Sequence, residues 1–278
     1  MKRSHRAEMA KQTVEIIEQG YYVSPAGQRV SIAEAVKSLV KGTKLYGRDP
    51  IPPAPAPAPP AAAQPATIEV TPESSFVALQ RLKKSGAAKV GCLNFASARN
   101  PGGGFLNGAE AQEEALARAS ALYESLLAAR EYYEANRNQH SSLYLDLLIA
   151  SPDVLFFRDD EGTLLDEPVS ATVITAPAPN AGAVTHNEPA RVPEIEPTLR
   201  RRAELVLRIA SLHGVTHLVL GAWGCGVFRN DPAMVARTFR DLLTAEGPYA
   251  RHFTHITFAI FDPTQTGDNL AAFRRKFA

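Results

Sequence analysis

The sequence predicts an α/β domain with a largely parallel central sheet, and three observations carry that prediction. From residue 67 onward, short apolar runs of strand length alternate with stretches of helical periodicity. Two glycine-rich loops each stand between a strand and a helix. A segment made almost wholly of Pro and Ala sets the start of the chain apart from this alternation.

The apolar runs lie at 88–95, 169–175, 216–222 and 255–261 and are rich in Val, Ile, Leu or Phe, as strands buried on both faces are. A shorter strand at 67–70 leads into a helix with Thr71 as cap and Pro72 at its first position, ending near Gly86. Further helices are expected at about 110–134, 194–213 and 231–245, with a last one near 266–277. Before the alternation, Met9, Val14, Ile16 and Ile17 mark a helix over 5–19 that Gly20 ends. A hairpin over 21–23 and 29–30 turns through Pro25-Ala26-Gly27, and Ser31 with Glu34 forms a capping box for a short helix that stops near Gly42. Proline cannot donate to a ladder, so the Pro/Ala segment is a linker or an exposed loop. The chain therefore divides into an accessory segment (1–48), a linker or loop (49–66) and a main domain (67–278).

Composition narrows the function classes. Of 278 residues, 45% are apolar and 21% charged, as in an ordinary globular protein. Thirty basic against twenty-nine acidic residues leave a net charge of +1, so no bulk attraction for DNA or another polyanion is expected, and phosphates must be held locally. Cys92 and Cys225 make neither a disulfide framework nor a metal cluster, which fits a reducing cytosol. No apolar run approaches bilayer length and the start Met1-Lys2-Arg3-Ser4-His5 is polar, so the chain is read as cytoplasmic, without a membrane partner.

In open α/β sheets ligands bind beyond the carboxyl ends of strands. The loop after the strand at 88–95 reads Ser97-Ala98-Arg99-Asn100-Pro101-Gly102-Gly103-Gly104-Phe105 and runs into a helix whose first turn holds Gln112-Glu113-Glu114. Three bare glycines let backbone amides approach a ligand, and a helix start adds free amides and the positive dipole end. Alone, a glycine triplet fits a flexible loop as well. The loop after 216–222, Gly221-Ala222-Trp223-Gly224-Cys225-Gly226-Val227-Phe228, repeats the strand, glycine turn, helix order. Two such loops at neighbouring strand ends could grip a pyrophosphate from both sides. Neither fits a Walker loop or the dinucleotide fingerprint.

The reactive candidates are Glu113 and Glu114. Adjacent helix residues point about 100° apart, so they cannot flank one bond as paired glycosidase carboxylates do. One must position the substrate while the other moves protons. Acidic residues also suit any first helical turn, so the pair alone does not define a site. Cys225 has no histidine beside it in sequence and is better explained by its loop; Trp223 and Cys92 read as packing residues.

With these residues in hand, the chain resembles the bacterial type of the poly(ADP-ribose) glycohydrolase family. Its signature is Gly-Gly-Gly, a spacer of six to eight residues, then Gln-Glu-Glu; here Gly102-Gly103-Gly104 is followed by Gln112-Glu113-Glu114. Trp223-Gly224-Cys225-Gly226-Val227-Phe228 is similar to the family's second phosphate loop, Phe258-Ala259-Ile260-Phe261-Asp262 to the strand that follows, and Thr67-Ile68-Glu69 to the segment that holds adenine. The resemblance implies a three-layer α/β/α macrodomain with a mixed, largely parallel central sheet, plus an N-terminal, mainly helical accessory segment.

It further implies hydrolysis of the ribose–ribose O-glycosidic bonds of poly(ADP-ribose), with ADP-ribosylated proteins as substrates and no metal or cofactor. Glu114 would be the acid/base and Glu113 would bind a ribose hydroxyl. The diphosphate would lie on Gly102, Gly103, Gly104, Gly224, Cys225, Gly226 and Val227, with Phe105 and Gln112 completing the binding set. Phe228 would pack on the distal ribose, Glu69 would meet the adenine, and either Ser97 or Asn100 would touch the distal ribose. Arg229 replaces a glycine of larger relatives, and Ala176-Pro177-Ala178-Pro179-Asn180 stands where the animal enzymes carry a tyrosine-rich adenine clasp. A non-catalytic ADP-ribose reader and a hydrolase of single ADP-ribosyl groups are the alternatives.

Overall fold

The computed structural model describes residues 1–56, 64–244, 246–262 and 267–278. It begins with α1 (Arg3–Gln19), the hairpin β1 (Tyr21–Val23) and β2 (Arg29–Ser31), α2 (Ala33–Gly42) and β3 (Lys44–Tyr46). The alternating part follows as β4 (Thr67–Thr71), α3 (Ser75–Lys84), β5 (Val90–Phe95), α4 (Gln112–Ala119), α5 (Leu122–Ala128), α6 (Arg130–Asn138), β6 (Leu148–Arg158) and β7 (Leu164–Ala176). It closes with α7 (Ala181–Asn187), α8 (Ile195–Leu212), β8 (His217–Leu220), α9 (Pro232–Leu243), β9 (His255–Ala259) and α10 (Asp268–Phe277).

Seven strands form one mixed sheet in the order β3-β6-β7-β5-β8-β9-β4. The run β7-β5-β8-β9-β4 is parallel, and β3 and β6 join it antiparallel. Alternation along each strand builds the three layers. Cys92 and Val173 face a core with Phe76, Leu116, Leu126 and Tyr132, whereas their neighbours Leu93 and Ile174 face one with Leu199, Val206, Phe239 and Phe273. Helices α3 to α6 thus cover one face and α8 to α10 the other.

Several expectations need correction. The helix α3 starts later than Thr71-Pro72: Ser74 is its cap, accepting from the Val77 amide, while Thr71 ends β4. Ser31 belongs to β2, and no side chain caps α2. The stretch 110–134 is three helices, because Ser120 is extended at φ −149° and its neighbour Ala121 donates to Leu155 of β6. Two strands, β3 and β6, were not expected. The three residues of β3 pair with β6, so the segment before residue 48 contributes an edge strand to the main sheet. Of the Pro/Ala segment, residues 57–63 lie outside the described residues; Ile51, Ala54 and Ala66 on its flanks pack against the core. Residue 266, where the last helix was expected to start, also lies outside them.

The N-terminal helix bears on the first loop. Arg3 and Arg6 of α1 donate through Nε to the Asn107 and Gly108 carbonyls at 2.9 and 2.8 Å. A Cβ on Gly108 would come within 2.1 Å of the Arg3 carbonyl oxygen, so only glycine allows this approach. No helix among the described residues is long and apolar enough to cross a membrane.

Candidate active site

β5 and β8 are parallel neighbours, so both glycine-rich loops leave the same edge of the sheet side by side. The chain leaving β7 forms a third wall. Asn230 ties it to the second loop, donating to the Pro179 carbonyl at 2.8 Å and the Gly224 carbonyl at 3.0 Å. Trp223 Nε1 donates to the Ala176 carbonyl, and its ring is fully buried, a packing role. Gly224 sits at φ 72° with the Ala178 Cβ only 2.5 Å from where its own would be.

The two carboxylates occupy different settings. Glu113 is 3% exposed, accepting from the Ser97 amide at 2.6 Å and from Asn94 Nδ2 at 3.3 Å. Burial pushes its carboxyl up to about 8, with the charge of Glu114 adding, against hydrogen bonds from Ser97, Asn94 and Gly102. The Tyr132 and Tyr133 hydroxyls and Asn94 Oδ1 are buried without a partner among the described residues, and both tyrosines lie within the electrostatic reach of Glu113. Glu114 is half-buried, and its Oε1 accepts from the Gly104 amide at 3.0 Å.

The glycine triplet serves these acids. Gly102 and Gly103 have φ of 66° and 59°. A Cβ on Gly103 would lie 2.3 Å from Glu114 Oε1, so the bare backbone is what admits the carboxylate. The Gly103 amide donates to the Asn100 carbonyl and the Gly104 amide to Glu114, which departs from the expected phosphate cradle: both are already engaged. In the second loop the amides of Gly226, Val227 and Phe228 have no acceptor among the described residues, and Gly226 and Val227 are exposed. Free amides for an anion are therefore in this loop.

Other expected residues divide. Gln112 staples α4 to the sheet: its Oε1 accepts from the Phe95 amide, and its Nε2 donates to the Leu93 carbonyl and Ser75 Oγ. Phe105 is fully buried, its ring 4.8 Å from that of Tyr123, so it supports the loop from beneath; a ligand-contacting Phe105 is corrected by that burial. The Ser97 hydroxyl accepts from the Arg99 and Asn100 amides and shapes the loop, while Asn100 is exposed. Phe228 lies with its ring 5.9 Å from that of Tyr144.

Glu69, on the edge strand β4, accepts from Arg81 at 2.6 Å and the Thr257 hydroxyl at 2.7 Å, with His255 Nε2 at 3.0 Å. Burial works to raise its carboxyl, but these partners outweigh it and hold it at about 2. Burial first, then the charge of Asp231, pushes the Cys225 thiol up to about 12, unlike an activated nucleophile.

Four further residues bear on the site. Asn94, a polar residue inside an apolar strand, was the one legible signal. Arg202 is fully buried and binds the carbonyls of Pro177, Leu143 and Tyr144 together with Asp146, so it fixes Tyr144, itself at φ 60°. Phe261, just beyond β9, is 71% exposed at the same sheet edge.

The Glu113 setting makes stability depend on pH. Its folded value lies above the ordinary 4.5, so its contribution is fully present below about 4.5 and lost as pH rises through about 8. Thermal melts of Glu113→Gln are expected to lose that decline between pH 5 and about 8, relative to the parent; an unchanged profile contradicts the burial argument.

The model of the family described as microbial-type PARG (poly(ADP-ribose) glycohydrolase), catalytic domain, matches residues 10–159. None of the curated proteins compared matches the chain. Among solved structures, poly(ADP-ribose) glycohydrolase from Thermomonospora curvata is similar at TM-score 0.90 and 46% identity over 99% of this chain and 100% of that one. Its complex with the inhibitor ADP-HPD gives 0.89 and 45% over the same shares. The Deinococcus radiodurans enzyme in complex with ADP-ribose gives 0.78 and 49% over 87% of this chain and 96% of that one. This chain belongs to the microbial-type poly(ADP-ribose) glycohydrolase family and is a macrodomain-fold glycohydrolase.

Proposed function

We propose that the chain releases ADP-ribose from poly(ADP-ribose) by hydrolysing its ribose–ribose O-glycosidic bonds, with Glu114 as acid/base. The observation that carries this is the asymmetric acid pair: Glu113 is buried and anchored by the Ser97 amide and Asn94, while Glu114 lies half-buried on the bare backbone of Gly103 and Gly104. Glu114 protonates the leaving ribose oxygen as an oxocarbenium-like centre forms, then takes a proton from the attacking water. Glu113, held by Ser97 and Asn94, orients a hydroxyl of the same ribose.

The diphosphate rests on the free amides of Gly226, Val227 and Phe228, with Gly224 and Cys225 shaping their turn. Its charge favours the developing cation. Phe228, backed by Tyr144, packs on the distal ribose, with Ser97 or Asn100 beside it. Adenine lies toward the β9 and β4 ends, where the exposed Phe261 ring offers a stacking face and Glu69 closes the edge. The reaction as written uses no metal or cofactor. ADP-ribosylated proteins are the physiological substrates in this reading, and the cytoplasm the compartment.

A non-catalytic ADP-ribose reader has no need of a half-buried Glu114 carboxylate beside Glu113, and a hydrolase of single ADP-ribosyl groups differs in substrate. The purified protein is expected to release free ADP-ribose from polymer and to leave the last, protein-linked unit in place. No release removes the catalytic reading; equal release from mono-modified protein favours the second alternative.

A further inference from the structure

Three successive carbonyls in the turn before α4 are each held by an arginine. Arg3 Nε donates to Asn107 at 2.9 Å, Arg6 Nε to Gly108 at 2.8 Å and Arg118 Nη1 to Ala109 at 2.6 Å. None of these carbonyls accepts from a backbone amide among the described residues, so the arginines satisfy groups that the turn itself leaves unpaired. Arg3 and Arg6 come from α1, and Arg118 from α4. Arg6 also donates through Nη1 to the Met1 carbonyl and pairs with Glu110 at 2.6 Å, its side chain 12% exposed. The stretch matched to the catalytic-domain model begins at residue 10, so Arg3 and Arg6 stand outside it.

This turn seats the acid/base. The Gly104 carbonyl accepts from the amides of both Asn107 and Ala109, at 3.0 and 3.1 Å, while the Gly104 amide donates to Glu114 Oε1 at 3.0 Å. A displacement at 107–109 therefore passes through one residue to the Glu114 carboxylate. The helix that carries Glu114 starts at Gln112, directly after the turn. α1 has anchors besides its arginines: Ala10 and Val14 pack with Phe105 and Ala117, Ile16 and Ile17 lie in a larger apolar core, and Thr13 Oγ1 donates to the Arg118 carbonyl at 2.6 Å. Apolar packing fixes the helix, and its arginines reach on to the turn.

We propose that Arg6, aided by Arg3 and Arg118, is a positioning residue for the reaction: it holds the 104–109 turn so that Gly104 presents the Glu114 carboxylate to the scissile bond. The effect on turnover rests on the glycohydrolase reading, while the coupling of α1 to the turn stands on geometry alone. The diphosphate is assigned to the loop after β8, so loss of the brace lowers kcat and leaves ADP-ribose affinity in place. Lysine at this position keeps the charge and can pair with Glu110 and donate to Gly108. It lacks the planar fork that serves several acceptors at once, so it restores the brace in part.

The test compares Arg6→Ala, Arg6→Lys and Ile17→Ala in the full chain. Ile17 is buried on α1 about 16 Å along the helix axis from Arg6, so its truncation destabilises the far end of the same helix. Arg6→Ala is expected to lower kcat on polymer by about 10- to 10²-fold, the scale of an ångström's misplacement, with polymer KM and ADP-ribose Kd within a few-fold of the parent. Arg6→Lys is expected to recover part of that loss, and Ile17→Ala to keep the parent kcat at an equal or greater fall in melting temperature. Hydrogen–deuterium exchange gives a readout without turnover: the Gly104, Asn107 and Ala109 amides are expected to exchange at least about tenfold faster in Arg6→Ala, with residues 226–228 unchanged. Should Arg6→Ala fail to fold, the exposed Arg3 gives Arg3→Ala in its place, with smaller effects in the same direction. Parent-like kcat or unchanged exchange in Arg6→Ala, no recovery in Arg6→Lys, an equal kcat loss in Ile17→Ala, or a fall in ADP-ribose affinity in step with kcat overturns the brace. A parent protein that releases no ADP-ribose from polymer removes the glycohydrolase reading instead, and exchange at 104–109 then decides the brace alone.

Discussion

Replacing Glu114 by Ala is expected to lower kcat on polymer by at least about 10²–10⁴-fold, the contribution of one general acid/base group, while the Kd for ADP-ribose stays within a few-fold of the parent. The asymmetry follows from its setting. The carboxylate has one structural partner, the Gly104 amide, and this amide can turn to water when the side chain is gone. The groups assigned to the diphosphate, on Gly226, Val227 and Phe228, belong to a different loop. Glu114→Gln separates the roles further: its amide oxygen can still accept from Gly104, yet it can neither give nor take the catalytic proton. Both variants are expected to be equally inactive, by release of ADP-ribose from polymer, and to bind ADP-ribose by calorimetry. Parent-like turnover in either removes the assignment.

Gly103→Ala is expected to lower kcat/KM by about 10²-fold, the scale of an ångström's misplacement of a catalytic group. Two causes act together. The backbone there is left-handed at φ 59°, which costs an L residue roughly 1–2 kcal/mol. The new Cβ would also stand 2.3 Å from Glu114 Oε1 and 2.9 Å from its Cδ, so the acid must swing away. Gly226→Ala provides the contrast. No atom lies within 4 Å of its Cβ position and its φ is not positive, so folding should be unaffected. Melting curves and steady-state kinetics on both variants check this, and near-parent kinetics for Gly103→Ala would contradict the role given to the bare backbone.

The parts of the fold legible in the sequence are those where one period runs unbroken. Strands β5, β8 and β9 are short apolar runs, and α8 and α9 carry continuous apolar faces, with Asp231 capping α9 through the Ala233 amide. The strand β6 was hidden because Ser151-Pro152-Asp153 interrupts its pattern: the ladder shifts register between Ser151 and Val154, with Asp153 at φ 51°. The break at Ser120 was hidden for the opposite reason. Leu116, Ala119, Leu122 and Leu126 stay buried on both sides of it, so the apolar stripe continues while the helix does not.

At the site, the triplet at 102–104 was legible as a place where backbone could approach a partner closely, although alone it fits a flexible loop as well. Which groups approach was not, since the Glu114 carboxylate returns from ten residues downstream to take the Gly104 amide. The partners of Gln112 and Phe105 were not legible for a related reason. Each faces partners, the Phe95 amide and the Tyr123 ring, that only the folded chain brings near. Arg202 lies fifty-eight residues from Tyr144, and no local pattern links them.

A crystal structure of the protein with ADP-ribose tests the central claim most directly. The diphosphate is predicted on the amides of residues 226–228, with the distal ribose between Phe228 and the acid pair and its anomeric carbon within about 3.5 Å of a Glu114 carboxylate oxygen or of one water bound to it. A diphosphate away from residues 226–228, or an adenine ring beside Glu114 with the distal ribose at the Phe261 end, would contradict it.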